Sequence, residues 1–443
     1  MQDTPAGYPT DLTVVEPTAT VTTDVGDGEQ AYTGKRILSW SVTREITTDL
    51  PDQVQGVTGE SVASATATLV GPDPVTETSQ WTPWSGRNLV VRRTGRPVSI
   101  TAGFGGAEVP VFTGGTIVAA TAGATKAELA LQCDDPAAGL RMLTSLPPLH
   151  RMMYAEHPDI APVELYPGMS GNWAMDQILR GAGWYATPAP LTNVMVSVPL
   201  QGSLWPETGQ MVRTTSAAED PSFMPIAWDG GHMQAWTGPT QFEARWAPDG
   251  GVGIDEVHIS GWSGAGTGTA EIRAYAGDGP EVLSGPYIEL VFTATQVTIR
   301  RFFDAGSQPT TVYTRTAGPF DFRLQRLSST SLRITWTDLA GTQTNDVTVN
   351  AAWVGPVAMI FARVASAASL AGLQVAARTG VAGTPAVTHI PTVDVDPTLG
   401  IIETTPGVEQ QEQWQTLRDI AAAELGACWV DELGRFVFRN RRS

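Results

Sequence analysis

Alternating apolar and polar residues fill the chain after Arg36 in short runs. The runs include ILSWSVTREI, SVASATATLV, PVSITAGF and KAELALQCDD, and Pro, Gly or Asp residues separate them. A period of two sends every second side chain to the same face of a strand, so Leu129, Leu131 and Cys133 are predicted to share a buried face. The pattern predicts a barrel or sandwich of about six strands over residues 35–146.

A second alternating region spans residues 196–388 and uses more Trp, Gly and Thr. Its runs include PYIELVF, TQVTIRRFF, FDFRLQRL and SLRITWTD, in which Phe320, Phe322 and Leu324 fall on one face. Repeated short strands with Gly and Asn turns are typical of two antiparallel sheets packed face to face. The region is predicted to be an inserted jelly-roll sandwich, so the fold class is mainly β.

The stretch SGNWAMDQILRGAGW follows a helical period instead. Ser170 or Asn172 is expected to cap a short helix, and Gly181 or Gly183 is expected to end it. The helix would bury Trp173, Ile178 and Leu179.

The closing residues 411–443 combine a helical stripe with a hairpin pattern. The stripe consists of Trp414, Leu417, Ala421 and Leu425, and Gly426 is expected to stop the helix. The DELG sequence is predicted to turn the hairpin. One helix and one hairpin expose too much apolar surface to be stable alone. We therefore predict that they complete the earlier helical piece, giving a discontinuous domain of 147–195 and 389–443.

Residues 1–34 carry acidic side chains and no basic ones, among scattered Thr, Pro and Gly. This composition predicts an extended arm that is disordered alone or ordered against a partner.

The net charge of −18, from 45 acidic and 27 basic residues, argues against a nucleic-acid-binding surface over the whole chain. No apolar run approaches the ~20 residues that span a bilayer. No N-terminal run has the pattern of a secretory signal. The expectation is synthesis in a cytoplasm, without a membrane segment. Cys133 and Cys428 lie in apolar, strand-like contexts and are predicted to be buried free thiols.

The residues offer little support for metal or catalytic chemistry. The histidines are scattered without a metal-binding motif, which favours surface or structural roles; they are His150, His157, His232, His258 and His389. Acidic pairs occur at Asp134/Asp135, Asp255/Glu256, Asp394/Asp396 and Asp431/Glu432. Two of these pairs, Asp134/Asp135 and Asp431/Glu432, sit at predicted turns, where Asp bonds its own backbone. We expect no catalytic residues, no metal site and no cofactor.

Tryptophans in Gly-rich stretches of the sandwich are the stronger signal. Trp228, Trp236, Trp246 and Trp262 occur in or beside AWDGGHMQAWTG, ARWAPDGG and ISGWSGAG. Exposed Trp near Asp or Asn suits stacking on sugar rings, although core packing is the alternative for each. The candidate glycan-stacking residues are Trp228, Trp236 and Trp262. By contrast, Trp336 and Trp353 stand within regular strand patterns and are predicted to be core.

Several of these stretches, taken in order, resemble a known family. ILSWSVTREITTDLPDQV, VFTGGTIVAA followed by LALQCDDPAAGL, NWAMDQILRGAGW and WQTLRDIAAAELGACWVDELGRFVFRNR look like parts of minor tail proteins of actinobacterial siphophages. Those proteins are similar to tail hub proteins. The resemblance covers about 35–195 and 400–443.

The resemblance implies a structural role in the virion. Hub proteins of this kind have two tail-tube-like β-barrel domains per chain, and they form homotrimers at the tail tip, where DNA is only a passing cargo. The resemblance implies that residues 35–146 are the first tube-like β-barrel domain and that the discontinuous domain is the second. The partners would be the tail tube, distal tail, tape measure and tail tip proteins. The sandwich resembles concanavalin A-like domains of phage tail tips, which would either touch host cell-wall glycans or brace neighbouring proteins.

The predicted function is therefore a non-enzymatic, hub-like minor tail protein that closes the tail tube and links it to distal proteins. The main alternative is a carbohydrate-binding adhesin that acts through the inserted sandwich. A glycan-degrading enzyme is a third class, which would need two acidic residues across one cleft.

Overall fold

The structure is a computed structural model. It describes residues 17–26, 28–47, 59–70, 94–104, 107–122, 128–146, 149–150, 169–187, 191, 193–201, 204, 206–216, 226–228, 234–238, 242–248, 256–264, 266–276, 286–302, 310–338, 343–350, 356–378, 392–396, 398, 401–402, 404–405 and 408–440.

The described strands and helices confirm a mainly β chain. In chain order the strands are β1 Pro17–Gly26, β2 Gly28–Thr33, β3 Ile37–Thr47, β4 Gly59–Val70, β5 Pro97–Phe104, β6 Ala107–Ala122, β7 Glu128–Asp134, β8 Leu143–Leu146, β9 Leu149–His150, β10 Met169–Ser170, β11 Val194–Val198, β12 Gln210–Ser216, β13 Ile226–Trp228, β14 Gln234–Gly238, β15 Phe242–Ala247, β16 Glu256–Ser263, β17 Thr269–Ala276, β18 Tyr287–Phe292, β19 Gln296–Phe302, β20 Thr311–Thr314, β21 Gly318–Ser328, β22 Ser331–Asp338, β23 Gln343–Asn350, β24 Val357–Ala365, β25 Ala368–Arg378, β26 Val393–Val395, β27 Ile401–Ile402, β28 Thr404–Thr405, β29 Val408–Glu412, β30 Ala427–Val430 and β31 Phe436–Arg439. The α-helices are α1 Gly171–Gly181 and α2 Gln413–Ala423, and 3-10 turns span Gly34–Arg36 and Pro136–Arg141.

The chain divides into two compact units, and this division differs from the predicted one. Unit 1 comprises Met1–Thr144 with Gln411–Ser443, and unit 2 comprises Ser145–Gln410. The closing helix and hairpin thus belong with the first β-domain and not with 147–195. The physical reason is a parallel pairing of β30 with β4, which covers the hairpin edge within unit 1.

Unit 1 is built on one sheet, whose strand order runs β2, β1, β5, β6, β7, β4, β30, β31, with β3 on β4. Alternation decides its buried face as predicted, because Leu129, Leu131 and Cys133 of β7 are all buried. Cys133 and Cys428 are buried free thiols, as expected. Burial raises the pKa of the Cys133 thiol to about 12, helped by the charge of Asp134, so this thiol stays protonated at neutral pH.

The predicted N-terminal arm is wrong over residues 17–33. Strand β1 lies between β2 and β5 in the sheet of unit 1. Val21 and Tyr32 belong to the same buried cluster as Leu131. Threonine-rich strands carry few apolar residues, and for that reason the composition suggested disorder here. The remainder of the predicted arm, residues 1–16, lies outside the described residues.

Helix α2 buries Trp414, Leu417 and Ala421, as its stripe predicted. Leu425, the fourth predicted member, is instead exposed, because α2 ends at Ala423. Leu425 takes the left-handed conformation with φ 53°, and the N–H of Gly426 donates to the carbonyl of Ala421 at 2.8 Å. This is a Schellman ending with leucine in the position that glycine usually holds.

Gly426 was predicted to stop helix α2, but the structure requires glycine here because the hairpin packs closely against this position. A Cβ on this residue would lie 2.5 Å from the carbonyl oxygen of Arg439 and 2.6 Å from the Phe438 ring. Glycine is therefore required for the close approach of α2 to the hairpin of β30 and β31. The predicted hairpin itself is confirmed.

Unit 2 contains the predicted sandwich. One sheet has the order β13, β14, β25, β16, β21, β22, β23, with β11 on β25, and is called the first sheet. The second sheet has the order β12, β15, β24, β17, β18, β19, β20. Side chains from both sheets form one buried cluster, which includes Phe292, Phe322 and Trp336. The face-to-face antiparallel jelly roll confirms the predicted fold of this region.

Helix α1 also lies in unit 2, and Gly183 ends it as the sequence predicted, whereas Asn172 lies inside the first turn and does not act as the predicted cap. The Asn172 side chain donates to the carbonyl of Asp396 at 2.7 Å and accepts from the N–H of Thr398 at 2.7 Å. At the other end, Gly183 has φ 84° and the N–H of Trp184 donates to the carbonyl of Leu179 at 2.8 Å. Ile178 and Leu179 are buried.

Candidate functional site

The outer side of the second sheet carries arginine, glutamate and aromatic side chains in cross-strand rows. Alternate residues of its strands enter the sandwich core, as Ile272 and Ala274 of β17 do. The residues between them point to the opposite side. We call this side the arginine–glutamate face, and it consists of Glu243, Arg245, Glu271, Arg273, Tyr275, Tyr287, Glu289, Arg300, Phe302, Met359, Phe361 and Arg363.

The middle row of the face crosses five neighbouring strands. The register pairs Arg245 with Phe361, Phe361 with Arg273, Arg273 with Glu289, and Glu289 with Arg300. Residues directly opposite each other in antiparallel strands have Cβ atoms about 5 Å apart. The row therefore places guanidinium groups on both sides of one carboxylate.

Glu289 is the centre of this row. Its Oε1 accepts from Nε of Arg273 at 2.6 Å, and its Oε2 accepts from Nη1 of Arg300 at 3.1 Å. Charge-assisted bonds of this kind are roughly twice as strong as neutral ones. The Glu289 side chain is buried beneath the two arginines that it holds.

A second row joins Glu243, Arg363 and Glu271. Arg363 forms an ion pair with Oε1 of Glu271 and lies 3.8 Å from Oε1 of Glu243. Arg273 connects this row to the middle one, because its Nη2 lies 3.3 Å from Oε2 of Glu271. The charged side chains form one network across five strands.

The third row is aromatic. The Tyr287 and Phe302 rings stack with centroids 4.3 Å apart and an interplanar angle of 22°. Tyr275 packs against Tyr287 at 4.9 Å, and the Arg273 guanidinium lies 4.9 Å from the Phe361 centroid. Tyr287 and Phe302 are half-buried, so part of each ring is open to solvent.

Two groups on the face have a shifted pKa. Burial alone would lower the pKa of Arg273, but hydrogen bonds with Tyr275 and Glu289 and the charge of Glu289 outweigh it, so the pKa is raised. Burial raises the pKa of the Tyr287 hydroxyl, although the neighbouring Arg273 opposes this. The face therefore presents cationic arginine and a neutral tyrosine around neutral pH.

The predicted tryptophans lie elsewhere, on strands of the first sheet. Trp228 is in β13, Trp236 in β14 and Trp262 in β16. Leu370 of β25 pairs with Trp236 on one side and with Ser263, the neighbour of Trp262, on the other. The backbones of Trp236 and Trp262 therefore lie at nearly the same level of the sheet, with β25 between them. The Trp262 side chain is half-buried, and the side chains of Trp228 and Trp236 lie outside the described part. Sugar stacking by these three stays a prediction.

Trp246 and Trp336 both lie in the core of the sandwich. Trp246 is buried in the sandwich core, and its Nε1 donates to the carbonyl of Leu204 at 2.9 Å, so core packing, the alternative left open for it, is what the structure shows. Trp336 is core, as predicted, and packs on Phe320 with ring centroids 5.6 Å apart. Trp353 lies outside the described residues.

The sequence reasoning missed the arginine–glutamate face, although one signal was present. Glu243 and Arg245, like Glu271 and Arg273, place opposite charges two residues apart within strand patterns. Such pairs share one face of a strand. Only the strand register then shows that Glu289, Arg300 and the aromatic rings join them.

A buried polar cluster lies on the first sheet, outside the arginine–glutamate face. His258 Nε2 is 3.3 Å from Oε1 of Glu256, and its Nδ1 is 3.6 Å from Oδ1 of Asp321. Arg323 Nε donates to Oδ2 of Asp321 at 2.9 Å. The side chains of Glu256, His258 and Asp321 are buried and that of Arg323 is half-buried, which gives His258 the structural role that was favoured for it. The side chains of the other histidines lie outside the described part.

The acidic pairs at turns act on the backbone, as predicted. Asp135 accepts from the N–H of Ala63 at 2.7 Å and of Ala137 at 2.9 Å. Asp431 accepts from the N–H of Leu433 at 2.9 Å and of Arg435 at 2.8 Å. Within the described residues, no group of three or more His, Cys, Asp or Glu is arranged to hold a metal ion. No described helix is long and apolar enough to cross a membrane.

Comparisons with known proteins give distant structural likenesses only. No protein-family model and no curated protein matches the chain. A legume lectin-like domain from Entamoeba histolytica is similar at 10% identity and TM-score 0.25, covering 34% of this chain and 85% of that one. A Bacillus licheniformis β-glucanase is similar at 10% identity and TM-score 0.28, covering 43% and 100%. The CBM2 module of the evolved Dit of Lactobacillus casei BL23 phage J-1 is similar at 8% identity and TM-score 0.24, covering 34% and 78%. Likenesses of this size do not bear on function.

Proposed function

We propose that the sandwich of unit 2 is a carbohydrate-binding module that holds a glycan on the arginine–glutamate face. The observation that carries this proposal is the stacked pair of Tyr287 and Phe302 beside Arg300 and Glu289. The two rings are half-buried, which leaves part of their surface for a ligand. Binding sites for small molecules typically combine apolar surface with a few placed polar groups.

The chemistry of the face suits a sugar. An aromatic ring offers a flat apolar surface for the C–H side of a pyranose. Guanidinium groups donate and carboxylates accept hydrogen bonds, so hydroxyl groups of both orientations find partners. Phe302 and Arg300 are two residues apart on β19, about 7 Å at the rise of a strand, so one sugar can touch both.

The ion pairs fix the polar groups before a ligand arrives. Arg273 is bound to Glu289 and Glu271, and Arg300 is bound to Glu289. Side chains that are already ordered lose little conformational entropy on binding. A rigid sheet with locked rotamers is the arrangement that recognition sites favour.

The same ion pairs favour binding over hydrolysis. Glycoside hydrolysis generally needs one protonated acid and one carboxylate on either side of the scissile bond. Glu289 and Glu271 are each paired with two arginines: Arg273 and Arg300 for the former, Arg273 and Arg363 for the latter. We propose that the protein binds glycans without cleaving them.

For the whole chain we propose the role of a hub-like minor tail protein at the tip of a phage tail. The resemblance of residues 35–195 and 400–443 to such proteins supports it, and the sandwich would then reach host cell-wall glycans. Mass photometry of the full chain tests the assembly. A homotrimer agrees with the proposal, and a stable monomer at about micromolar concentration contradicts it.

Glycan-array screening followed by calorimetric titration of the full chain tests the binding face. Phe302→Ala removes half of the aromatic stack and is expected to weaken binding by about 1–2 kcal/mol, or roughly tenfold. Trp262→Ala is the matched control, since it removes a half-buried aromatic from the other sheet. Melting curves confirm that both variants fold.

Binding at the arginine–glutamate face and binding at the tryptophans of the first sheet predict opposite results for these two variants. Loss of binding in Phe302→Ala with retention in Trp262→Ala agrees with the arginine–glutamate face. The reverse result places the glycan at the tryptophans of the first sheet. Binding to no glycan contradicts the module as such.

A further inference from the structure

We infer that the glycan held on the arginine–glutamate face is anionic. This inference rests on the proposed function and names the class of ligand. It follows from which charged atoms of the network reach the solvent and which lie beneath it.

The arginines are the outer layer of the network. The side chains of Arg273, Arg300 and Arg363 are 24%, 47% and 26% exposed, whereas those of Glu289 and Glu271 are 2% and 9% exposed. A ligand approaching the sheet therefore meets guanidinium groups before it meets these two carboxylates. Among the glutamates of the face, only Glu243, at 23% exposure, is nearly as open as these arginines, so the charge that the ligand can reach directly is mostly positive.

The composition of the face points the same way. Its four arginines, Arg245, Arg273, Arg300 and Arg363, oppose three glutamates, Glu243, Glu271 and Glu289. The chain as a whole carries a net charge of −18. A locally cationic face on an acidic protein attracts anions where the rest of the surface repels them.

Arg300 is the residue best placed for direct recognition of an acidic group. Its ion pair with Glu289 uses Nη1, and its side chain is the most exposed of the three arginines. A guanidinium has five N–H donors in a planar fork, which matches carboxylate and phosphate oxygens in pairs. One ion pair leaves donors of that fork for a ligand.

The position of Arg300 relative to the aromatic pair selects acidic sugars. Arg300 and Phe302 lie on the same side of β19, and their partners across the strand pair are Glu289 and Tyr287. A sugar ring stacked on Phe302 brings a charged substituent towards Arg300. A uronic acid carboxylate and a phosphodiester on the glycan both provide the required oxygens, and the test separates these two sources.

Calorimetric titrations of the full chain with three polymers test the inference. The probes are polygalacturonate, poly(glycerol phosphate) and an uncharged galactan. We expect at least one of the two anionic polymers to bind about tenfold or more tightly than the galactan, as charged hydrogen bonds allow. Raising NaCl from about 50 mM to about 500 mM should weaken this binding through screening.

Two arginine variants serve as a matched pair. Arg300→Ala removes a 47% exposed arginine that is paired with Glu289, and Arg333→Ala removes a 47% exposed arginine that is paired with Asp346 on the first sheet. Arg300→Ala should abolish the preference for the anionic polymer, and Arg333→Ala should keep it. The anionic polymer that the wild type binds more tightly than the galactan shows whether the recognised group is a carboxylate or a phosphate.

The outcomes distinguish this inference from the proposed function. Equal affinity for the galactan and both anionic polymers overturns the anionic preference while glycan binding stands. An anionic preference that survives Arg300→Ala overturns the assignment to this face. Absence of binding to every polymer and every array glycan contradicts the proposed function itself.

Discussion

At the residue scale, Asp176 of helix α1 has a buried carboxylate. Its Oδ2 lies 4.0 Å from Nε of Arg180, whose Nη2 donates to Oε2 of Glu207 at 2.8 Å. Burial raises the pKa of Asp176 to about 7, although the charge of Arg180 opposes the shift. The folded protein therefore binds a proton that the unfolded chain, with an ordinary carboxyl, releases near pH 4.

This shift makes stability depend on pH in a defined direction. Because the folded pKa is raised, the contribution of Asp176 is complete below about pH 4 and is lost as pH rises through about 7. Asp176→Asn removes the cost of a buried charge, so it should raise the free energy of unfolding at pH 8 by on the order of 2–4 kcal/mol. Below pH 4 the variant should match the wild type.

Calorimetric melting of the wild type and Asp176→Asn between about pH 4 and about pH 9 provides the measurement. Exposed Asp419→Asn, on helix α2, is the control and should not change the pH profile. Superimposable pH profiles for the wild type and Asp176→Asn would show that burial does not raise the pKa of Asp176.

Leu425 is a second residue whose backbone conformation has an energetic consequence. Its φ of 53° brings its Cβ close to the backbone, which costs about 1–2 kcal/mol for a residue other than glycine. The side chain is 46% exposed, so little packing offsets this cost. Leu425→Gly should stabilise unit 1 by about 1 kcal/mol.

Urea unfolding measures this gain. Leu425→Ala is the matched control, because it removes the same exposed side chain but keeps the Cβ that causes the strain. A stabilisation shared equally by both variants would assign the effect to the lost leucine side chain and refute the role of φ.

At the scale of elements, local patterns predicted what local chemistry controls. The C-terminal end of α1 follows from Gly183, and the turn of the closing hairpin follows from Asp431. Strand β1 escaped prediction because its TATVTT run contributes one large apolar side chain, Val21, and reads as a polar loop by composition. Its burial depends on pairing with β5, which lies beyond any local window.

The strand pairing of β1 predicts a sharp limit to N-terminal truncation. Removal of residues 1–33 deletes β1 and β2 together with the buried Val21 and Tyr32, and should cost unit 1 several kcal/mol, enough to unfold it. Removal of residues 1–16 leaves both strands in place and serves as the control.

Hydrogen exchange on the two truncated proteins distinguishes the cases. Amides of β5 and β6 should lose protection in the shorter protein and keep it in the longer one. Equal protection in both would mean that residues 17–33 are the dispensable arm that their composition suggests.

At the scale of the whole molecule, the site was less predictable than the fold. Alternation was sufficient to predict the sandwich, because the apolar and polar residues within each strand indicate which of its faces is buried. The arginine–glutamate face draws Glu243, Arg273, Arg300 and Phe361 from separate strands, and only the register makes them neighbours. The tryptophans could be named as candidates from the sequence because each one is judged from its own neighbouring residues.

The division into units was the other feature beyond the reach of local patterns. The closing helix and hairpin were correctly predicted to need a partner. Their partner is β4, and nothing in the alternation of β4 indicates that its far end receives a parallel strand.

That parallel pairing, of Gly59 with Ala427, also sets an order of events during synthesis. The sandwich lies between the two halves of unit 1, so it leaves the ribosome as a whole before β30 exists. Domains generally fold as they emerge, and contacts distant in sequence form slowly. Unit 1 must therefore wait with the β30-facing edge of β4 uncovered while unit 2 folds, and this interval is when the chain is most open to capture by chaperones or by another copy of itself.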